Sequence, residues 1–383
     1  MVTAAFWISL FVGLYPYVVY PLIASALAAL RNRPVRADPS FVPRVTIVIA
    51  AFDEAAVIEA TLRNKIGQDY PRELLEIIVV SDGSSDGTDD VVRRVAAEDG
   101  RVRLVRQEPR QGKTAALNRA AGLASGEVLV FSDANSIFRH GALRALVSCV
   151  ADPTVGYVTG RMLYTNPDGS LVGDGCSAYM RLENFLRAME TRMGSVVGVD
   201  GGIDAVRRSL FRPMRPDQLP DFVLPLTVVE QGYRVVYEPR AALTEEALQD
   251  DRSEFRMRVR VALRALWGIW DKRRLLNPFL FPLFSWQLLS HKLLRYVSFA
   301  PLALATLLNW GLLAEGSVYL ALAGGQVVFV LLVLSTRLPG GRSNGFTVAR
   351  YCYYFALLNW SSAVAFSRFL AGQKVIIWRP RTG

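Results

Sequence analysis

The chain predicts an α/β protein, an open and mainly parallel sheet with helices on both faces, flanked by apolar helical segments. Three features point there. Short runs rich in Val and Ile alternate with helix-like stretches between residues 44 and 250, residues 4–30 carry no charge, and strong apolar character returns only after residue 290.

The first segment, 1–30, reads as a transmembrane helix. A helix over 4–30 would reach about 40 Å, more than the roughly 30 Å hydrocarbon core of a bilayer. Tyr15, Pro16, Tyr17, Tyr20 and Pro21 interrupt this run without forbidding a span. A secretory signal would need a basic start and a small-residue cleavage pattern before Arg31, Arg33 and Arg36, and has neither. That basic flank opens a linker, 31–43, and places it on the cytoplasmic side. Strands are expected at 45–51, 75–81, 102–106, 128–132, 155–161 and 234–238, several apolar at every position, as burial on both faces requires. Helices are expected at 54–66, 88–97, 114–124, 141–150 and 222–231.

Beyond the soluble domain, 44–250, come amphipathic interfacial helices at 251–290 and a C-terminal transmembrane region with a basic tail at 291–383. Its apolar runs are 296–313, 318–334 and 346–370. The last carries Arg350, Arg368, Asn359, Ser361 and Ser362, which suits a span packed against protein or a helix at the interface. With Arg31 inside, two spans return the chain inside at Arg337 and Arg342. A third would leave Lys374, Arg379 and Arg381 outside, so either the last helix is interfacial or re-entrant or the tail breaks the positive-inside rule.

Composition narrows the function. A chain of 383 residues, 51% hydrophobic and 20% charged, is not disordered, and a mean hydropathy of +0.24 is high for a soluble enzyme. The formal charge of +10 sits largely in the juxtamembrane arginines and in 252–274, which favours anionic lipid over nucleic acid as partner. Cys149, Cys176 and Cys352 give neither a disulfide framework nor a metal-ligand spacing, which fits a reducing compartment. Two histidines, His140 and His291, disfavour a His-rich zinc site and most Ser-His-Asp schemes.

Ligands of parallel sheets bind outside the carboxyl ends of the strands. The loops there read Ala51-Phe52-Asp53-Glu54, Ser81-Asp82-Gly83-Ser84-Ser85-Asp86-Gly87-Thr88 and Ser132-Asp133-Ala134-Asn135. Asp, Ser and Gly after a strand are ordinary turn and cap residues, and Asp86 reads as the cap of the helix that follows. Acidic residues at three strand ends on one edge exceed turn chemistry. They suit a divalent cation bridging phosphate oxygens, and Lys113 in Gly112-Lys113-Thr114 could neutralise the same phosphates. A P-loop is excluded because it needs Gly where Gln107 stands, and no GxGxxG follows an early strand.

These loops, with Pro43-Arg44-Val45-Thr46-Ile47-Val48-Ile49-Ala50 before the first and Gly112-Lys113-Thr114-Ala115-Ala116-Leu117-Asn118 between the second and third, resemble the family 2 glycosyltransferases. Within that family the likeness is to the membrane-embedded branch of hyaluronan, chitin, cellulose and poly-N-acetylglucosamine synthases, and it covers roughly 40–270. The resemblance implies a GT-A fold and inverting transfer from a nucleotide-sugar, a UDP-sugar foremost, to a glycan acceptor in exopolysaccharide or cell-surface glycan synthesis. It places Ala51, Asp53 and Glu54 at the nucleotide pocket, Asp82 on the base or ribose, and Lys113 by the diphosphate. Asp133 and Asn135 stand at the DxD-type motif that holds Mg²⁺ or Mn²⁺, with Asn135 in place of the second acid.

By the same resemblance Asp221, in Leu219-Pro220-Asp221-Phe222, is the general base, with Pro220 where the family has an acidic or polar neighbour; the alternative is that Asp221 only caps 222–231. Asp200-Gly201-Gly202 matches a segment lining the acceptor site. Arg258 or Arg260 would clamp the diphosphate, although Val261 stands where the family's Gln/Arg-x-x-Arg-Trp motif has Trp. The other reading of this stretch is an interfacial helix whose Phe255, Val259, Leu263, Leu266 and Trp270 face the acyl boundary. The implied protein is integral to the cell membrane with a cytoplasmic catalytic domain. Two alternatives stay open: a non-processive transferase acting on a polyprenyl-phosphate or other lipid acceptor, and a non-catalytic membrane partner subunit.

Overall fold

A computed structural model describes residues 1–164, 171–245, 251–336 and 347–375, with side chains for all of these except 164, 171–177, 251 and 347. The chain forms two compact units. One comprises Met1–Leu27, Asn166–Leu186 and Ala247–Lys374, the other Ala28–Thr165, Arg187–Glu246 and Val375–Gly383.

The second unit is built on a sheet that counts eight strands among the described residues: β1 (Val45–Ala51), β2 (Leu75–Ser81), β3 (Val102–Arg106), β4 (Val128–Asp133), β5 (Ile137–Phe138), β6 (Val155–Tyr164), β7 (Ile203–Arg207) and β8 (Arg234–Glu245). Their order is β3-β2-β1-β4-β7-β6-β8-β5. Strands β1 to β4 are parallel, and their carboxyl ends are level: Ala51 pairs with Ser81, and Ala50 with Asp133. Val45, Ile47, Val48 and Ile49 are all fully buried, so neither face of β1 is left to water.

The sheet is mainly parallel, as expected, but mixed. β7 runs antiparallel to both of its neighbours, β4 and β6. Neither β5 nor β7 is among the strands expected from sequence. β7 is short, follows two glycines and carries Asp204 as its second residue, so its apolar alternation is weak.

Four expected helices are observed as Ile58–Ile66, Thr88–Glu98, Lys113–Leu123 and Ala142–Ser148. The first starts later than residue 54 for a local reason. The N–H groups of Glu54 and Ala55 donate to Thr88 Oγ1 and Asp86 Oδ2, both at 2.9 Å, which holds 54–57 in a turn. The fifth helix is Pro220–Glu230, with Leu219 at its cap position and Pro220 opening its first turn. Asp221 is therefore a first-turn residue, not the cap.

In the first unit the expected single N-terminal helix is two, Val2–Leu14 and Val19–Arg31, bent by 55°. Pro16 lacks the N–H that would continue the ladder, and the chain turns through Tyr15, Tyr17 and Val18. Further along, Pro282–Val297 and Phe299–Gly311 form a second bent pair, at 57°. Among the described residues only Ser317–Ser335 is by itself long and apolar enough to cross a membrane, and there are up to three such spans if each bent pair counts as one.

Thr347–Leu370 packs along Asp251–Asp271. Trp267 and Phe369 have ring centroids 4.6 Å apart, Trp267 Nε1 donates to the Gln373 carbonyl at 2.8 Å, and Phe255 lies against Tyr353 and Leu357. Val259, Leu263 and Leu266 are buried, so the face expected to meet acyl chains is covered by protein; only Trp270 among those five is more than half exposed, at 54%. Arg337, Arg342, Arg379 and Arg381 lie outside the described residues, as does the side chain of Cys176. Cys149 and Cys352 are free thiols.

Candidate active site

The site belongs to the second unit, at the carboxyl edge of β1, β2 and β4. The first two loops are knitted together by their own polar groups. Asp53 adopts a left-handed backbone, φ +53°, and its Oδ1 accepts the Ser85 N–H at 2.8 Å while its N–H donates to Ser84 Oγ at 3.1 Å. Asp86 accepts the Thr88 N–H at 3.0 Å as a capping carboxylate would, although Gly87 holds the cap position. The Arg110 guanidinium lies 3.3 Å above the centre of the Phe52 ring.

Asp82, 3% exposed, is spent on the next loop. Its Oδ1 accepts Gln107 Nε2 at 2.6 Å and the Gln111 N–H at 2.8 Å, and its Oδ2 accepts the Gly112 N–H at 2.8 Å. One carboxylate thus shapes the segment that delivers Lys113, the first residue of its helix. Lys113 Nζ then lies 2.6 Å from Asp133 Oδ1 and 3.8 Å from Asp221 Oδ2. Burial pulls the ammonium pKa down, but the carboxylates of Asp133 and Asp221 outweigh burial and hold it above the ordinary lysine value. The lysine is charged throughout the neutral range.

The loop after β4 is braced from beneath by Ile58–Ile66, a support that sequence reading missed. Thr61 Oγ1 donates to the Ala134 carbonyl at 2.6 Å, Asn64 exchanges two 2.8 Å bonds with the Phe138 backbone, and Lys65 Nζ donates to the Ser136 carbonyl at 2.5 Å. Lys65 is wholly buried, with its ammonium 3.6 Å from the Phe138 ring centre. Burial pushes its pKa well below the ordinary value, against the pull of Asp133.

Asp221 is placed by backbone shape. Gly201 sits at φ +86°, and a Cβ there would fall 2.4 Å from Asp221 Cγ, so glycine alone permits the approach. The loop carrying Gly201 is anchored by Arg187, whose two terminal nitrogens each lie 2.6 Å from an oxygen of Asp200 and whose Nε donates to the Gly198 carbonyl at 3.0 Å. Arg187 lies on Leu171–Met193, a helix not expected from sequence, because buried Glu183, Arg187 and Glu190 blur its apolar stripe. The Gly201-Gly202 pair was the one legible signal of this loop.

Arg258 and Arg260 belong to the first unit. Arg258 Nε donates to Glu254 Oε1 and Nη2 to the Tyr354 hydroxyl, both at 2.7 Å. Arg260 is half-buried on the same helix.

The donor set at the end of β4 fits a divalent cation that arrives with a diphosphate. Asp133 has one oxygen on Lys113 and a second to offer. Asn135 directs its amide nitrogen to Glu245 Oε1 at 3.3 Å, which leaves its amide oxygen as the donor atom. No cluster of three or more acidic, His or Cys side chains gathers as a metal cage among the described residues. Such economy is typical of Mg²⁺-type sites, where one or two carboxylates are completed by substrate phosphates.

Comparison with known proteins decides the class. Residues 46–215 match the family model for Glycosyl transferase family 2. This stretch is a family 2 glycosyl transferase domain. The chain is 28% identical over 246 residues to Probable glycosyltransferase YdaM of Bacillus subtilis, covering 61% of this chain and 58% of that protein. It is also 28% identical over 202 residues to the poly-beta-1,6-N-acetyl-D-glucosamine synthase of Staphylococcus aureus, covering 51% and 48%. The chain thus spans about half the length of the curated relatives it matches. Among solved structures, a mannosyltransferase of Pyrobaculum calidifontis in complex with GDP-mannose and Mn²⁺ superposes with a TM-score of 0.77 at 25% identity, covering 97% of this chain and 100% of that one. The glycosyl transferase domain therefore has the GT-A type of sheet, with the reversed β7 as part of it.

Proposed function

We propose that the chain is an inverting, metal-dependent glycosyltransferase of the cell membrane, with its catalytic domain on the cytoplasmic side, that moves a sugar from a nucleotide-sugar to a growing glycan. One observation carries this reading: a single ammonium, Lys113, stands between a carboxylate of the donor loop, Asp133, and a carboxylate at a helix start, Asp221. Asp221 removes the proton from an acceptor hydroxyl as that oxygen attacks the anomeric carbon from the face opposite the diphosphate. The bond from that carbon to the diphosphate oxygen breaks, and its electron pair leaves on the diphosphate beside Lys113. A divalent cation, Mg²⁺ or Mn²⁺, held by Asp133 and Asn135 when bound, supplies Lewis-acid stabilisation of the diphosphate.

Two donor classes are in play. A UDP-sugar is favoured by the resemblance to polysaccharide synthases. GDP-mannose is favoured by the full-length likeness to the mannosyltransferase solved with it. A screen of purified protein against UDP- and GDP-sugars separates them by which nucleotide is released, and product length separates polymer synthesis from single transfer to a lipid-linked acceptor. Asp221→Asn tests the base: binding of the nucleotide-sugar persists and transfer is lost. Full turnover by that variant removes Asp221 from the mechanism, and no release from any donor with Mg²⁺ or Mn²⁺ favours a non-catalytic subunit.

A further inference from the structure

Asp204 is a carboxyl group for which the transfer chemistry above has no use. It is the second residue of β7, opposite Phe131 of β4 on one side and Thr159 of β6 on the other, three residues beyond the glycine that abuts Asp221. It is 1% exposed. The polar groups that face it are the hydroxyls of Tyr157 and Thr159 from β6, the carboxylates of Asp221 from its helix and Asp200 from its loop, and Lys113, which feels its charge from a third element. The Asp200 carboxylate is already held by Arg187. Neither oxygen of Asp204, nor Thr159 Oγ1, has a partner that meets the geometry of a hydrogen bond. No cation pairs with Asp204 among the described residues, and its nearest charged neighbours of its own kind are the base and the loop acid.

We infer that Asp204 is a positioning residue of the transfer site that works as a neutral carboxylic acid, keeping a third negative charge away from Lys113, Asp133 and Asp221. This rests on the transfer reading of the site. Burial is the main cause of protonation and the Asp221 and Asp200 charges add to it, while the nearby hydroxyls offset part; together they push Asp204 up to about 8. A site that must accept a diphosphate and then hold it as a leaving anion is opposed by each added negative charge. With Asp204 neutral, Lys113 is shared by two carboxylates and retains attraction for the diphosphate. Once ionised, Asp204 competes for the same ammonium, and both donor binding and departure of the diphosphate weaken.

The test compares wild type with Asp204→Asn, which fixes the neutral shape, in the full-length protein. The ratio of kcat/KM in the variant to that in wild type rises about tenfold between pH 7 and pH 9, because only wild type acquires the charge. A ratio constant across that range overturns the proposal. A second measurement needs no turnover. An acid whose folded pKa is raised keeps a proton that the unfolded chain gives up, so wild-type stability falls as pH climbs from the ordinary carboxylate range to about 8. The melting midpoint of Asp204→Asn minus that of wild type therefore grows from pH 5 to pH 8 and levels off above. A difference independent of pH overturns the proposal even where transfer is intact, whereas wild type that transfers no sugar at any pH sinks the reading on which it rests.

Discussion

Lys113 is the residue on which the site turns, and its partners dictate what its removal does. It lies on two carboxylates without being neutralised by either alone, so Lys113→Met should weaken nucleoside diphosphate binding on the order of 100-fold while leaving nucleoside binding little changed; calorimetry with the two ligands reads the difference. Gly201→Ala pushes a methyl group into the space of the Asp221 carboxylate. Its kcat should fall at least about tenfold, as a displaced base predicts, with the donor Kd unchanged in the same titration. The acids at strand ends and Lys113 were legible because polar residues after apolar runs stand out. Lys65, Arg187 and Asp204 were not, because a polar residue inside a helix or strand reads as its solvent face until the partner that buries it is known.

Elements hold these residues in register. Leu171–Met193 supplies Arg187, whose buried pair with Asp200 fixes the loop under the base. Removing one partner leaves an uncompensated charge, so Arg187→Met should cost about 3–5 kcal/mol, seen as a lower denaturant midpoint, and adding Asp200→Asn should recover part of the loss. Strands β1, β2 and β4 announce themselves in sequence as nearly unbroken apolar runs because both their faces are buried. β5 and β7 do not: β5 has two residues, and β7 interrupts its apolar positions with Asp204. The helix Ile58–Ile66 was expected, but its work as a brace for 133–138 depends on Thr61, Asn64 and Lys65 meeting carbonyls that only the folded loop presents.

At the scale of the whole chain, the apolar runs of the sequence are helical where described, whereas their bends were not legible, since a break needs a local cause such as Pro16 and a hydropathy average is blind to it. The lone unbent candidate among the described residues, Ser317–Ser335, is only 11% buried within the protein over its most apolar stretch, which leaves most of its apolar surface uncovered. The protein should accordingly remain with membranes after alkaline carbonate washing, and its recovery in the supernatant would contradict membrane integration. The sheet carries a longer consequence. Because β7 runs against β4, the stretch leaving β4 at 133–136 and the stretch entering β7 at 198–202 emerge on the same side. One antiparallel pairing thus sets Asp133 and the glycine that seats Asp221 on a common rim, so a shift of that strand pair would carry both together.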